Sequence, residues 1–134
     1  MYAPSVGHLM SSPVQTVTPE TPIHDAAETM LDRDIGSLVV VDEDDRPEGI
    51  LTTTDCVTLV ARQGSTDETL VREFMTTGIE TATADENIQT AANRMMNHGS
   101  HHLPVVNDDG SVIGILTTTD LMAYLSPDWT PSPS

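Results

Sequence analysis

The sequence predicts an α+β fold made of one unit written twice, each copy with its own small sheet, and three observations carry that prediction. The stretch Gly49-Ile50-Leu51-Thr52-Thr53-Thr54-Asp55 returns unchanged as Gly114-Ile115-Leu116-Thr117-Thr118-Thr119-Asp120. At that offset, 114 − 49 = 65, residues 6–60 lie on residues 71–125 without a gap and match at 19 of 55 positions. A repeat of this kind governs how everything else is read. Within each copy, stretches of period two and of helical period follow in the order strand, helix, strand, strand, helix. Finally, 134 residues fit one domain or two joined halves of about 60 residues each. A lone half would bury too little surface to be comfortably stable, so the halves are expected to share a core.

Taken in order, Val6-Gly7-His8-Leu9-Met10 and Val71-Arg72-Glu73-Phe74-Met75 read as short helical lead-ins with an apolar i, i+3, i+4 face. Val14 to Thr18 alternates as a strand does, and Ile79 to Thr83 does so more weakly. A helix follows over Thr21 to Leu31, with a Thr cap, Pro22 at the first helical position, and Ile23, Ala26, Ala27, Met30 and Leu31 on one face. The second copy keeps that face as Ile88, Ala91, Ala92, Met95 and Met96. Apolar strands are expected over Leu38–Val41 and Leu103–Val106, then the turns Asp42–Pro47 and Asn107–Gly110, the latter with the Asp-Gly pair favoured in hairpins. The strand that returns from each turn runs into the repeated heptamer, and a last helix spans Asp55 to about Ala61 and Asp120 to Leu125. The divisions are a first repeat over 1–61, a polar linker over 62–70, a second repeat over 71–125 and a tail over 126–134. Three prolines bar the tail from helix or inner strand, so it is expected to be flexible, with Trp129 its one large apolar group.

Charge narrows the function classes. Aspartate and glutamate number 21 against five arginines and no lysine, a formal net charge of −16. Such a surface repels itself in dilute buffer, whereas at about 1 M salt the Debye length shrinks to about 3 Å and the penalty fades. The reading is a salt-adapted protein of a salt-rich cytoplasm. Nucleic acid, which needs a basic stripe, is disfavoured, and so is an anionic membrane surface. No apolar run reaches the length of about 18 residues needed to span a bilayer, and Met1-Tyr2-Ala3-Pro4 carries no signal-peptide pattern. Cys56 is the single cysteine and aligns with Leu121 in the second copy, which favours a small hydrophobe over a nucleophile.

The heptamer carries the chemistry. Ile50-Leu51 ends a buried strand, and three hydroxyls and a carboxylate open a helix. Thr52 or Thr54 can accept from free N–H groups there, and Asp55 suits the positive end of the helix dipole. Helix N-termini also bind anions. A well-capped helix and a cluster that holds a ribose and its phosphate are both consistent with these residues. Capping alone tolerates Ser, Asn or Asp, yet all three threonines recur. His98, His101, His102 and Asp108 raise the question of zinc, but His101 and His102, adjacent on a strand, point to opposite faces, so no metal site is expected. Neither a nucleophile paired with a base nor a Gly-rich phosphate loop stands out, so no catalytic residues are assigned and no enzyme is expected.

With the repeat, its element order and the heptamer in hand, the chain resembles a tandem pair of cystathionine-β-synthase (CBS) domains, the Bateman module. The matching residues are Met10-Ser11 and Met75-Thr76 after the lead-ins, the Ala-Ala helices, His102-Leu103-Pro104-Val105-Val106 and both heptamers, within about residues 6–125. The resemblance implies two β-α-β-β-α repeats packed face to face about a pseudo-twofold axis, and a homodimer. It implies a non-enzymatic sensor that takes AMP, ADP or ATP in clefts between the repeats, needs no cofactor and acts on an unknown regulated protein. S-adenosylmethionine or a related compound is the alternative ligand, and a ligand-free dimerisation module the alternative role. By the same resemblance Asp55 and Asp120 would hold ribose, and Thr52, Thr54, Thr117 and Thr119 would contact ribose or phosphate. Val14, Thr16, Ile79 and Thr81 would line adenine. His101 and His102 stand where some members place basic residues against phosphate. The first repeat has Gly36-Ser37 there, so the two clefts are expected to differ in affinity.

Overall fold

A computed structural model describes residues 4–125; the expected tail with Trp129 lies outside them. The elements are α1 (Val6–Leu9), β1 (Thr16–Val17), α2 (Ile23–Arg33), β2 (Ser37–Val41), β3 (Pro47–Thr52) and α3 (Thr53–Ala61), then α4 (Val71–Phe74), β4 (Ala82–Thr83), α5 (Ile88–His98), β5 (His102–Val106), β6 (Val112–Thr117) and α6 (Thr118–Tyr124). Lead-in, strand, helix, strand, strand, helix thus occurs twice, the α+β order that the repeat predicts. Each copy builds its own three-stranded sheet, β1-β2-β3 and β4-β5-β6. The first two strands of each are parallel because a helix joins them, and the last two antiparallel because a tight turn does.

The two turns solve one problem with different residues. Asp42 Oδ1 accepts from the Asp44 and Arg46 amides at 2.8 and 3.0 Å, and Asn107 Oδ1 accepts from the Asp109 and Ser111 amides, both at 3.0 Å. The left-handed position falls on Asp45 (φ 62°) in one turn and Gly110 (φ 87°) in the other. Aspartate tolerates that conformation better than most side chains, and glycine does so at no steric cost.

Several elements depart from expectation. The alternation over Val14–Thr18 and Ile79–Thr83 predicts longer strands than the two-residue β1 and β4. The residues ahead of each are where the chain passes from one compact unit to the other, Val14 to Gln15 and Ile79 to Glu80. Thr21 does not cap α2: its hydroxyl lies 3.0 Å from that of Thr18, and Pro22 holds the cap position. The Ile23 and His24 amides donate to the carbonyls of Thr69 and Thr66, both at 2.9 Å, so part of the polar linker closes the start of α2. In α5, Asn87 caps with its side chain. The helical period predicts Leu31 and Met96 on the apolar faces, yet they are 81% and 78% exposed, while Ile23, Ala26 and Met30, and Ile88, Ala91 and Met95, are buried. A short helix on a narrow sheet covers one stripe, and positions 31 and 96 fall beside it.

The compact units do not coincide with the sequence repeats. One unit takes Gln15–Ile79, and the other takes the residues before Gln15 together with those from Glu80 onward. Each lead-in therefore packs with the other repeat, and the expected single core becomes two. One cluster joins Val6, Leu9 and Met10 to Ile88, Met95, Leu103 and Leu116. The other joins Val71, with Phe74 and Met75 beside it, to Ile23, Met30, Leu38 and Leu51. Among the described residues no helix is long and apolar enough to cross a membrane.

The exchange explains the glycine that opens each heptamer. Thr76 exchanges backbone hydrogen bonds with Ile50 at 2.9 and 3.0 Å, and Ser11 does so with Ile115 at 2.9 and 3.1 Å. A Cβ on Gly49 would stand 2.7 Å from the Thr76 carbonyl oxygen, and one on Gly114 would stand 2.7 Å from Met10 Sδ and 3.0 Å from the Ser11 oxygen. Gly49→Ala is expected to lower unfolding free energy in urea by about 1–3 kcal/mol, with a smaller loss for Gly114→Ala, where the nearest atom belongs to a methionine side chain rather than to the backbone. A neutral Gly49→Ala would mean that the lead-in does not lie against this strand.

Candidate functional site

Each heptamer forms a strand-to-helix junction whose first helical turn is closed by its own aspartate. Thr52 ends β3 and Thr117 ends β6, both with φ −120° and ψ 165°, and both are helix N-caps. Asp55 Oδ2 accepts from the Thr52 amide at 2.8 Å and the Thr52 hydroxyl at 3.1 Å, and the Asp55 amide donates back to that hydroxyl at 3.4 Å. Around Asp120 the same three distances are 2.8, 3.1 and 3.2 Å. This is a reciprocal capping box with aspartate in place of the usual glutamate or glutamine. Between Thr52 and Thr54, it is Thr52 that caps. Thr54 and Thr119 instead leave their side chains exposed at the junction surface.

The middle strand of each sheet locks onto the junction. The Thr53 amide donates to the Gly36 carbonyl and the Thr118 amide to the His101 carbonyl, both at 3.1 Å. Thr52 pairs with Ser37 and Thr117 with His102 across the antiparallel ladders. His102 is therefore a cross-strand neighbour of Thr117, while His101 precedes the strand with its side chain exposed. Burial of the His102 imidazole, and secondarily the neighbouring His101, push its pKa below the ordinary value of 6.5. It is neutral at neutral pH.

The cap occupies one oxygen of each carboxylate, and the two copies differ in the other. Asp120 Oδ1 accepts from the Ser11 hydroxyl at 3.0 Å. Asp55 Oδ1 has no such bond among the described residues. Cys56, next to Asp55, is half-buried, and burial together with the adjacent carboxylate raises its thiol pKa, the reverse of what activates a nucleophile.

The remaining site residues divide between the compact units. Thr16 and Ile79 fall in the unit of Thr52, Thr54 and Asp55; Val14, Thr81, His101 and His102 fall in that of Thr117, Thr119 and Asp120. Thr16 opens β1 with its side chain exposed, whereas Val14, Ile79 and Thr81 are half-buried. Thr81 is fixed by a residue that the sequence did not single out. Arg94 Nη1 donates to both Glu86 oxygens at 2.8 and 2.7 Å, Nη2 donates to Glu80 at 3.0 Å, and Nη2 also donates to the Thr81 carbonyl. The hydrogen bonds to Glu86, against the opposing effect of partial burial and with further help from Glu80, raise the guanidinium pKa above its ordinary value. The first repeat has Thr29 at this position, bonded to the Asp25 carbonyl, so the clamp exists in one copy only. Glu80 and Glu86 lie 14 and 8 residues before Arg94 and outside α5, so no helical spacing relates them to it.

Chemically, each junction offers a carboxylate oxygen outside the cap, a pure acceptor, and, one residue before the aspartate, an exposed threonine whose hydroxyl both donates and accepts; at Asp120 that oxygen already accepts from Ser11. Among the described residues no group of three His, Cys, Asp or Glu side chains is placed to hold a metal ion.

Comparison with known proteins gives the same doubled arrangement. The model of the CBS domain family matches residues 6–62 and again 71–127. An uncharacterized protein of Methanopyrus kandleri is 36% identical over 123 residues, 91% of this chain and 63% of that protein, so the chain spans less than two thirds of that relative's length. The CBS domain pair of protein MJ0100, solved in complex with 5′-methylthioadenosine and S-adenosyl-L-methionine, superposes with a TM-score of 0.83 at 29% identity, covering 91% of this chain and 99% of that one. CBSX2, solved in complex with AMP, superposes with a TM-score of 0.78 at 26% identity, covering 90% and 95%. The repeated junction, the two mixed sheets and both matched spans are those of a tandem pair, and the chain belongs to the CBS domain family.

Proposed function

We propose that this CBS pair is a non-enzymatic regulatory module that binds an adenosine-containing ligand, AMP, ADP or ATP, at the strand-to-helix junctions. The observation that carries the reading is the division of labour within each aspartate. Oδ2 is held by the cap, which orients the carboxylate and leaves Oδ1 turned away from the cap, as an acceptor for ribose hydroxyls needs to be. In this reading Asp55 and Asp120 hold ribose, Thr52 and Thr117 orient them, and the exposed Thr54 and Thr119 contact ribose or phosphate. Val14, Thr16, Ile79 and Thr81 line adenine. His101, which is exposed, takes the phosphate side, with half-buried His102 next to it in sequence. The MJ0100 pair and CBSX2 support adenosine as the shared chemistry.

Charge favours a second ligand of the same class. Arg94 is committed to Glu80 and Glu86, and Arg72 lies 3.9 Å from Glu20, so cations to meet a polyphosphate are scarce. S-adenosylmethionine, with its positive sulfonium, suits a chain of net charge −16 better than ATP does. Its binding would transmit a signal only through different affinity for two conformations.

The surface suggests a second copy of the chain as partner. Among the described residues the strongly exposed large apolar side chains are Leu31, Val57, Val60, Met96, Met122 and Leu125. They form three pairs, each 65 residues apart. A groove of about 400 Å³ between α2 and α3 includes Leu31 and Val57 in its lining. Exposed apolar side chains that recur at equivalent positions of both repeats fit a partner that carries the same set, which a second copy supplies. In the same reading, the acidity suits a salt-rich cytoplasm as the working environment.

Three outcomes test these assignments. Asparagine at 55 or 120 keeps an amide oxygen for the cap but replaces the outward acceptor with a donor. Calorimetry in molar KCl with AMP, ATP and S-adenosylmethionine should show Asp55→Asn and Asp120→Asn each weakening its own site by about tenfold or more, with stability changed by no more than ~1 kcal/mol. Unchanged binding in the double variant would remove ribose from these carboxylates. Leu31→Glu combined with Met96→Glu should halve the sedimenting mass, and an unchanged mass would rule out dimerisation through these faces. Raising KCl from about 0.1 to about 2 M should raise the thermal midpoint, whereas indifference to salt would contradict the salt-adapted reading.

A further inference from the structure

The lead-in segments meet the two junctions in the same way up to the side chain. Ser11 and Thr76 occupy equivalent positions, and each exchanges two backbone hydrogen bonds with the strand that ends in the heptamer, at Ile115 and Ile50. Their hydroxyls then part company. Ser11 Oγ donates to Asp120 Oδ1 at 3.0 Å, across 109 residues of sequence. Thr76 makes no bond to Asp55, whose Oδ1 is left to solvent among the described residues.

From this difference we infer that Ser11 is a specificity-determining residue that sets the order in which the two junctions fill, weakening the one at Asp120 relative to the one at Asp55. The inference rests on the ribose reading above. The oxygen of Asp120 that a ribose hydroxyl needs already has an internal hydroxyl on it, delivered by a backbone that the strand holds in place. A ligand at Asp55 displaces only water from its acceptor. A ligand at Asp120 must compete for its acceptor with an internal donor that is already in position. The net worth of one such bond corresponds to a difference of about twofold to tenfold in dissociation constant. The Ser11 hydroxyl is exposed and its backbone is anchored independently, so its removal leaves the junction intact. His101, just ahead of β5, predicts the opposite order for a phosphorylated ligand, which makes the sign of the asymmetry informative.

Calorimetry with AMP and with 5′-methylthioadenosine in molar KCl tests the inference on the full chain, in two backgrounds that each keep one junction. In Asp55→Asn, where only the Asp120 junction remains, adding Ser11→Ala should tighten binding about twofold to tenfold. In Asp120→Asn, adding Thr76→Ala should change affinity by less than about twofold, because no bond to Asp55 is lost. Unchanged or weakened binding on adding Ser11→Ala would overturn the inference, the weakened case by showing that the hydroxyl itself grips the ligand. An absence of heat with both probes in the unsubstituted chain would instead remove the adenosine reading, and this inference with it.

Discussion

Each lead-in is hydrogen-bonded to the last strand of the opposite repeat, and the rest of the molecule depends on that contact. It brings Met10 and Ser11 over Gly114, and Met75 and Thr76 over Gly49, at a distance that no side chain on the glycine would allow. It carries Val6 and Leu9 into one core and Val71 into the other, so neither sequence repeat holds all the apolar residues of its own core. Half-domains of this size bury too little surface alone, and exchanging a segment makes the stability of each compact unit a property of both repeats.

The same contact sets the chemistry at the heptamer. The strand that the lead-in clasps ends in the capping threonine, and the cap spends one oxygen of the following aspartate on structure. One oriented carboxylate oxygen remains outside the cap in each copy. Because Ser11 arrives with the lead-in and reaches Asp120, while Thr76 does not reach Asp55, two identical heptamers acquire different surroundings. Identity of local sequence therefore does not ensure identity of environment when part of it comes from elsewhere in the chain.

Electrostatics adds a second asymmetry. With five arginines against 21 carboxylates, each cation matters, and Arg94 is wholly engaged in holding Glu80, Glu86 and the Thr81 carbonyl. That clamp steadies the segment in which the chain crosses between units just ahead of β4, and the first repeat, with Thr29, has none. The histidines that the family resemblance sets against phosphate are also divided by their setting. His101 is exposed, while His102 is half-buried and neutral.

The sequence by itself determined the repeat, the α+β order, the positions of nearly every element and the junction at which each heptamer turns from strand to helix. These features follow from local rules: alternation, helical period, turn chemistry and caps act over a few residues and are written in consecutive positions. Tertiary structure decided which core each lead-in joins, why Gly49 and Gly114 are glycines, that β1 and β4 are two residues long, and that Leu31 and Met96 face outward. It also decided that Thr52 rather than Thr54 caps, and brought Ser11 to Asp120 and Arg94 to Glu80. Contacts such as that of Ser11 with Asp120, 109 residues apart, obey no period, because they are set by where the chain crosses between compact units. Two copies with the same local pattern offer nothing in that pattern to show which lead-in serves which strand.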